Sequence, residues 1–316
     1  MITQSHDEFL WRQAAELLQI ARLLEGQPQE VSGNYHAATR SCPVFADFGA
    51  GAMQPLGIAL PAARAEAGIR LLAASAGKLI ERDAPFVNLI LPNGGRFAAS
   101  VEAGEISFSL RLVWRAVRAL EEFIAEHWQL AVIDEAIRQR LNIVATGGTS
   151  TGKTSFINGL TARLLKFSPH ERLGTIEDEP ELQIDAPNVI RRVVRGRADM
   201  RRHVREMLRM RPDRIIVGEV RGAEALDLLK AWNTGHSGGF TTIHANSAPA
   251  ALLRLESLIE EAGVPPSARL IAEAVDLLIF ISRRPDGARR IVEMVRVEGC
   301  GPDGGYRLKP ITGVED

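Results

Sequence analysis

Gly147-Gly148-Thr149-Ser150-Thr151-Gly152-Lys153-Thr154 satisfies the pattern G-x-x-x-x-G-K-[ST] at every fixed position. Each part of the pattern has a physical task. Glycines let the backbone bend tightly and come close to a ligand, so that successive N–H groups turn toward phosphate oxygens. An ammonium at Lys153 brings a full positive charge to the β- and γ-phosphates, and the hydroxyl of Thr154 suits Mg²⁺. Gly148, Thr149, Ser150, Thr151, Gly152, Lys153, Thr154 and Ser155 are therefore the candidate phosphate cradle. The flanks agree with this. Leu141 to Ala145 reads as a short buried strand entering the loop, and Phe156 to Leu165 has helical spacing after it. Strand, loop and helix are the setting the motif requires; the alternative is an ordinary glycine-rich turn.

Downstream, Arg214-Ile215-Ile216-Val217-Gly218-Glu219 is an apolar strand ending in an acid. Such a strand beside a phosphate loop places a carboxylate near Mg²⁺ and the γ-phosphate. Glu219 stands where many nucleoside triphosphatases carry Asp, and its longer reach suits it to orient or deprotonate an attacking water. Glu177-Asp178-Glu179 clusters acids after another apolar strand. That tip suits hydrated Mg²⁺, which binds through one or two carboxylates plus phosphate oxygens and water; a solvated acidic turn is the alternative. Thr154, Glu177 and Glu219 are the candidate metal-side groups. His236 and His244 flank Ser237 to Ile243 at a separation that does not match a helical zinc pair. Sensing of a γ-phosphate, or a subunit contact, fits them better, with a buried hydrogen-bonded histidine as the bland reading. Between Arg191 and Arg214 ten arginines stand against three acids. A solvated face with scattered ion pairs, arginines offered across a subunit interface, and DNA binding are the three readings of this patch, in that order.

Composition narrows the field. A chain of 316 residues is long enough for two domains, and 46% apolar content is ample for packed cores. A formal net charge of −1 gives no global pull toward nucleic acid or anionic membrane. Apolar runs are too short to span a bilayer, and the first residues carry no basic-then-apolar leader. Cys42 and Cys300 lie far apart, which suits a reducing cytosol and supplies no four-cysteine zinc site.

Periodicity predicts an α/β chain. Helices are expected over Asp7 to Glu25 and Pro61 to Glu81, with a loop over Gln27 to Tyr35. Strands are expected at Phe86 to Leu91, Arg96 to Val101 and Ile106 to Leu112, the first two joined by Pro92-Asn93-Gly94-Gly95. A helical connector, about Trp114 to Arg140, leads to the loop. Beyond it strands and helices alternate, which implies a largely parallel sheet covered on both faces. The expected division is a mixed α/β domain over residues 1–111, a linker over 112–125 and a phosphate-loop domain over 126–316.

Taken together, four segments resemble a known family. Residues 147–154, Thr175-Ile176-Glu177-Asp178, Met210 to Arg221 and Gly235 to Asn246 are similar to the Walker A, Asp-box, Walker B and His-box motifs of the secretion ATPases. Within that superfamily, which drives type II secretion, type IV pili and type IV secretion, Glu224 to His236 and Leu270 to Asp276 resemble the conjugal-transfer branch, the TrbB group. The resemblance implies a RecA-like P-loop domain in a homo-hexameric ring that binds ATP and Mg²⁺ between its N-terminal and RecA-like domains. Hydrolysis there would drive an inner-membrane secretion apparatus from the cytoplasmic side, the protein resting peripherally on the membrane. By residue, it implies Lys153 and Thr154 on phosphate and Mg²⁺, Glu219 as water-activating acid, Glu177 as Asp-box acid, and His236 and His244 as the His-box pair. Arg96 and Arg111 fall where the family's N-terminal domain offers arginines to the nucleotide. The chain departs from the family pattern in lacking an Asn-Pro-Asp-Gly-type turn in its first 60 residues and the usual basic run after Arg111.

Overall fold

A computed structural model describes residues 14–19, 28, 30–48, 53–91, 95–112, 118–194 and 199–313. Contacts divide the chain into two units, Met1–Trp114 and Arg115–Asp316.

In the first unit six strands form one antiparallel sheet: β1 (Glu30–Asn34), β2 (Ser41–Asp47), β3 (Gln54–Pro61), β4 (Phe86–Ile90), β5 (Arg96–Glu102) and β6 (Glu105–Arg111). Their order is β3-β2-β1-β6-β5-β4. Alternation decides which face is covered. Val87, Leu89, Phe97, Ala99, Val101, Ile106, Phe108 and Leu110 point one way and pack with Ile69 and Leu72 of helix α1 (Ala62–Ser75). The intervening residues are mostly polar, as expected of a sheet with one covered face: Ser100 and Ser107 bond each other at 2.7 Å, and Ser109 donates to Glu30 at 2.8 Å.

Several expectations change here. The loop expected at Gln27 to Tyr35 contains β1, whose sequence Glu-Val-Ser-Gly-Asn has too few apolar residues to signal a strand. Strands β2 and β3 are additions to the expected set: β2 alternates in burial, but its outward positions include the apolar Pro43 and Phe45, which hide the pattern in the sequence, and a register shift between Pro43 and Phe45 interrupts its pairing with β3. Helix α1 ends at Ser75 rather than Glu81, and Gly77 follows at φ 67°. Of the helix expected over Asp7 to Glu25, only 14–19 are described; 14–17 are helical, and Gln19 at φ 52° leaves the helical path. Residues 92–94 of the expected hairpin turn lie outside the described residues.

In the second unit a 3₁₀ turn (Leu120–Phe123) and helix α2 (His127–Arg138) precede β7 (Ile143–Thr146) and α3 (Lys153–Phe167). The continuous connector helix is thus corrected to these two pieces. The break before α2 is sealed by Gln129, whose Oε1 accepts from the Ala125 and Glu126 N–H groups. There follow β8 (Leu173–Glu177), β9 (Val189–Val193), α4 (Met200–Met207), β10 (Arg214–Val217), α5 (Glu224–Asn233), β11 (Phe240–Ile243), α6 (Ala248–Glu260), α7 (Ala268–Ala274), β12 (Leu277–Arg283), β13 (Arg289–Cys300) and β14 (Tyr306–Pro310). They form one sheet in the order β14-β13-β12-β7-β11-β10-β8-β9. All pairs from β12 to β9 are parallel; β13 and β14 add an antiparallel edge.

Residues of the central strands feed two cores by turns. Val144, Ile215, Val217, Ile176 and Leu278 pack under α4 to α7. Ile143, Ala145, Ile216, Leu173, Leu277 and Ile279 pack under α2 and α3. Both faces are covered, which is why these strands read as unbroken apolar runs.

Candidate active site

The parallel register brings the functional segments to one edge. Thr146 at the end of β7 is opposite Ile243 at the end of β11, and Val217 at the end of β10 is opposite both Thr241 and Ile176. The residues that follow these strand ends are the phosphate loop, His244, Glu219 and the acidic tip at Glu177-Asp178. Crevices at the carboxyl ends of such strands are where open α/β sheets bind ligands.

Local backbone demands explain the loop. Gly147 has φ 159°, and a Cβ there would lie 2.4 Å from the Ile281 carbonyl oxygen and 2.6 Å from Thr151 Oγ1. Gly152 has φ 90° and opens α3 directly. Thr151 Oγ1 donates to Gly148 O at 2.9 Å, cross-bracing the turn, and Ser150 takes a left-handed φ of 60° at its exposed crest. Thr149 is exposed beside it, while Thr154 and Ser155 are half-buried in the first turn of α3. A 15-residue helix thus points its free N–H groups and positive dipole end at the loop.

Lys153 is 7% exposed. Its Nζ donates to Gly147 O at 3.0 Å and Gly148 O at 2.9 Å, and lies 3.2 Å from His244 Nδ1. Burial pulls its pKa down to about 8, against the opposing pull of Glu219. Partial burial and the Lys153 ammonium alongside lower the pKa of His244, whose side chain is 46% exposed. Glu219 is 13% exposed in its side chain. Its Oε2 accepts from Arg221 at 2.9 Å. Its Oε1 is shut from solvent and faces His244 Nε2 at 3.0 Å without making a well-directed hydrogen bond. A buried amine and an unsatisfied carboxylate oxygen, beside a loop of inward N–H groups, fit a polyphosphate together with a hydrated cation or an attacking water.

Glu177 sits next to this cluster: its Cγ is 3.4 Å from where a Gly218 Cβ would be. Its Oε1, however, accepts from the Glu181 and Leu182 N–H groups at 2.9 and 2.7 Å, so it braces the loop after β8. Burial raises its pKa to about 7, and those two N–H groups pull the other way. The structure brings Lys153, Thr154, Ser155, Glu219, His244 and the Glu177 tip to one edge.

It does not bring His236 there. His236 precedes β11 and His244 follows it, so the strand carries the two to opposite edges of the sheet; this corrects their pairing in one site. The turn after His236 is held at that far edge by Asn142, whose Oδ1 accepts from Gly238 and Gly239 N–H, and by Arg214, which donates to Gly238 O. Arg96 and Arg111 belong to the first unit, where they are cross-strand partners on the polar face, and Arg111 meets Glu30 at 3.3 Å. Two further residues stand by the site, Arg221 beside the acids and Arg289 against the phosphate loop. Arg221 pairs with Glu219 and with Asp178, and Arg289 lies against Gly152, where a Cβ would be 2.6 Å from its Cδ. Arg221 carried a signal, since it falls in the same short run as Glu219; Arg289, 136 places after Lys153 in a hairpin, carried none.

Comparison with known proteins agrees with this arrangement. The family model described as type II/IV secretion system protein matches residues 78–285, more than half of the chain. A probable conjugal transfer protein TrbB of Sinorhizobium fredii is 39% identical over 246 residues, covering 76% of this chain and 75% of that protein. The type IV secretion system protein PtlH of Bordetella pertussis is 30% identical over 271 residues, 71% of this chain and 79% of its own length. Among solved structures, the pilus retraction motor PilT with bound ADP has a TM-score of 0.63 at 21% identity, covering 94% of this chain and 83% of its own. The ATPase DotB of Legionella pneumophila has a TM-score of 0.61 at 21% identity, over 87% of this chain and 78% of its own. These two show a shared fold. The phosphate loop, the acid-ended strand and the matched span of sequence lead to one conclusion: this chain belongs to the type II/IV secretion system protein family.

Proposed function

We propose that the chain is an ATP-hydrolysing motor of type IV secretion or conjugal transfer. One observation carries the reading: Lys153, at the N-terminus of α3, and Glu219, with a buried unsatisfied oxygen, meet at the carboxyl edge of a parallel sheet. Kinship with conjugal transfer and type IV secretion proteins supports the output assigned to it.

In this reading the N–H groups of residues 148–155 bind phosphate oxygens. Lys153 leaves the loop carbonyls for the β- and γ-phosphates, regaining full charge in the exchange. Glu219 orients and deprotonates the attacking water. His244 stands between ammonium and carboxylate and is placed to sense the γ-phosphate. Mg²⁺, held by Thr154 and through water by Glu219 and Glu177, would neutralise charge on the phosphates. The working form is a homo-hexamer acting with inner-membrane secretion proteins, on the cytoplasmic side. No described helix is long and apolar enough to cross a membrane.

The test is phosphate release by purified protein. Lys153→Ala is expected to abolish nucleotide binding and turnover. Glu219→Gln is expected to lower kcat by about 10²–10⁴-fold while still binding ATP. Undiminished turnover by Lys153→Ala protein would sink the proposal.

A further inference from the structure

The acid that faces the phosphate loop does not stand alone. Backbone on both sides of Glu219 is pinned: Gly218 N–H donates to Ile176 O at 2.9 Å and Val220 N–H to Thr242 O at 2.9 Å. One turn on, Glu224 Oε1 accepts from the Arg221 and Gly222 N–H groups at 2.7 and 2.9 Å, which sets where the Arg221 side chain starts. What stays free is the Glu219 side chain. Among the described residues, the hydrogen bond that anchors it comes from Arg221, at 2.9 Å to Oε2. A second nitrogen of the same guanidinium donates to Asp178 Oδ2. A guanidinium is a rigid planar fork, so fixing one of its nitrogens fixes the direction of the other.

We propose that Arg221 is a positioning residue for the reaction: it ties Asp178, at the exit of β8, to Glu219, at the exit of β10, and so holds the water-activating carboxylate in place. Asp178 then acts through Arg221 and touches neither substrate nor metal. The inference rests on the reading of Glu219 given above. Arg221 and Asp178 are half exposed, and a bare surface pair of that kind contributes little. The third member changes this, because Glu219 is largely buried and its orientation decides which oxygen meets the water.

The experiment is steady-state ATP hydrolysis for the full chain and for Arg221→Gln, Asp178→Asn, the double variant and Glu219→Gln, with ADP affinity read separately as a check on folding. Arg221→Gln is expected to lower kcat roughly 10- to 100-fold, with KM within about threefold. Asp178→Asn should lower kcat by roughly three- to tenfold, and the double variant should be no slower than Arg221→Gln alone, as for residues acting through one link. If Arg221→Gln loses ADP binding, Arg221→Lys, which keeps the charge and loses the fork, carries the same comparison, with a kcat loss at an unchanged KM. The proposal is overturned if the double variant multiplies the two single effects, or if Arg221→Gln keeps the wild-type kcat. Wild-type turnover by Glu219→Gln would instead overturn the reading of Glu219 itself, whatever Arg221 does.

Discussion

Lys153 shows how a single side chain registers its ligand. Its ammonium is buried against two loop carbonyls and the His244 ring, and its pKa falls to about 8. Phosphate oxygens favour the charged form, so nucleotide binding must raise that pKa again. Near pH 8, ADP binding is expected to take up about half a proton, and near pH 6 none from this group. Calorimetry in buffers of different ionisation heat reads this directly, and a heat independent of buffer at pH 8 contradicts it. Glu177 gives the opposite lesson. Its pKa is raised to about 7 from an ordinary value of 4.5. Relative to an unperturbed acid, its contribution to stability is fully present below about pH 4.5 and is lost as pH rises through about 7, since the native state binds more protons in that window. Glu177→Gln keeps an acceptor for the Glu181 and Leu182 N–H groups and should leave stability at pH 8 unchanged or improved. Glu177→Ala orphans both donors and should cost about 1–3 kcal/mol in denaturant unfolding. Equal losses for the two variants would place Glu177 in some other role.

At the scale of elements, β10 carries function at one end and architecture at the other. Arg214 at its start is 1% exposed and donates to Glu171, Ile137 O and Gly238 O, joining α2, the approach to β8 and the turn before β11. Arg140 adds a second pair to Glu171 at 2.7 Å. Breaking such a buried pair from one side is far costlier than never having had it, because a charge is left without its partner. Arg214→Ala should therefore lower stability by about 3–5 kcal/mol. Equilibrium unfolding would measure this, and a loss under 1 kcal/mol would show that the network is not needed. The same network explains why His236 is not part of the phosphate site: its turn is anchored to the edge of the sheet where strands begin.

At the scale of the whole molecule, four of the ten arginines of the arginine-rich stretch are paired with acids of the same chain. Asp227, 9% exposed on α5, accepts from Arg201 at 2.6 Å and Arg205 at 2.8 Å, Arg209 meets Glu206, and Arg214 is buried. Arginines spent on such pairs are not free to neutralise DNA phosphates, so double-stranded DNA is expected to leave ATP turnover unchanged at low and moderate salt. A DNA-stimulated rate that falls steeply with salt would reverse this. A ring of six makes a further demand: solution mass in the presence of a non-hydrolysed ATP analogue should be six times that of the chain. A monomer under those conditions would remove the shared-subunit part of the proposed function.

The sequence by itself determined the phosphate loop, the Glu219-ended strand and the alternation that makes the second unit a largely parallel sheet. Those features are written in adjacent residues: glycines where φ turns positive, apolar runs where both faces are buried, an acid two places past a strand end. Much of the first unit was not legible, because β1 buries few side chains and the outward positions of β2 include the apolar Pro43 and Phe45, which mask its alternation. Only the tertiary structure decided which distant residues share the site. The 91-residue separation of Lys153 and His244 closes to 3.2 Å because β7 and β11 are parallel neighbours in register. His236, only eight places before His244, is carried off by the length of β11. The link from Asp178 through Arg221 to Glu219 likewise exists only because β8 and β10 are adjacent in the sheet, a pairing that no local spacing encodes.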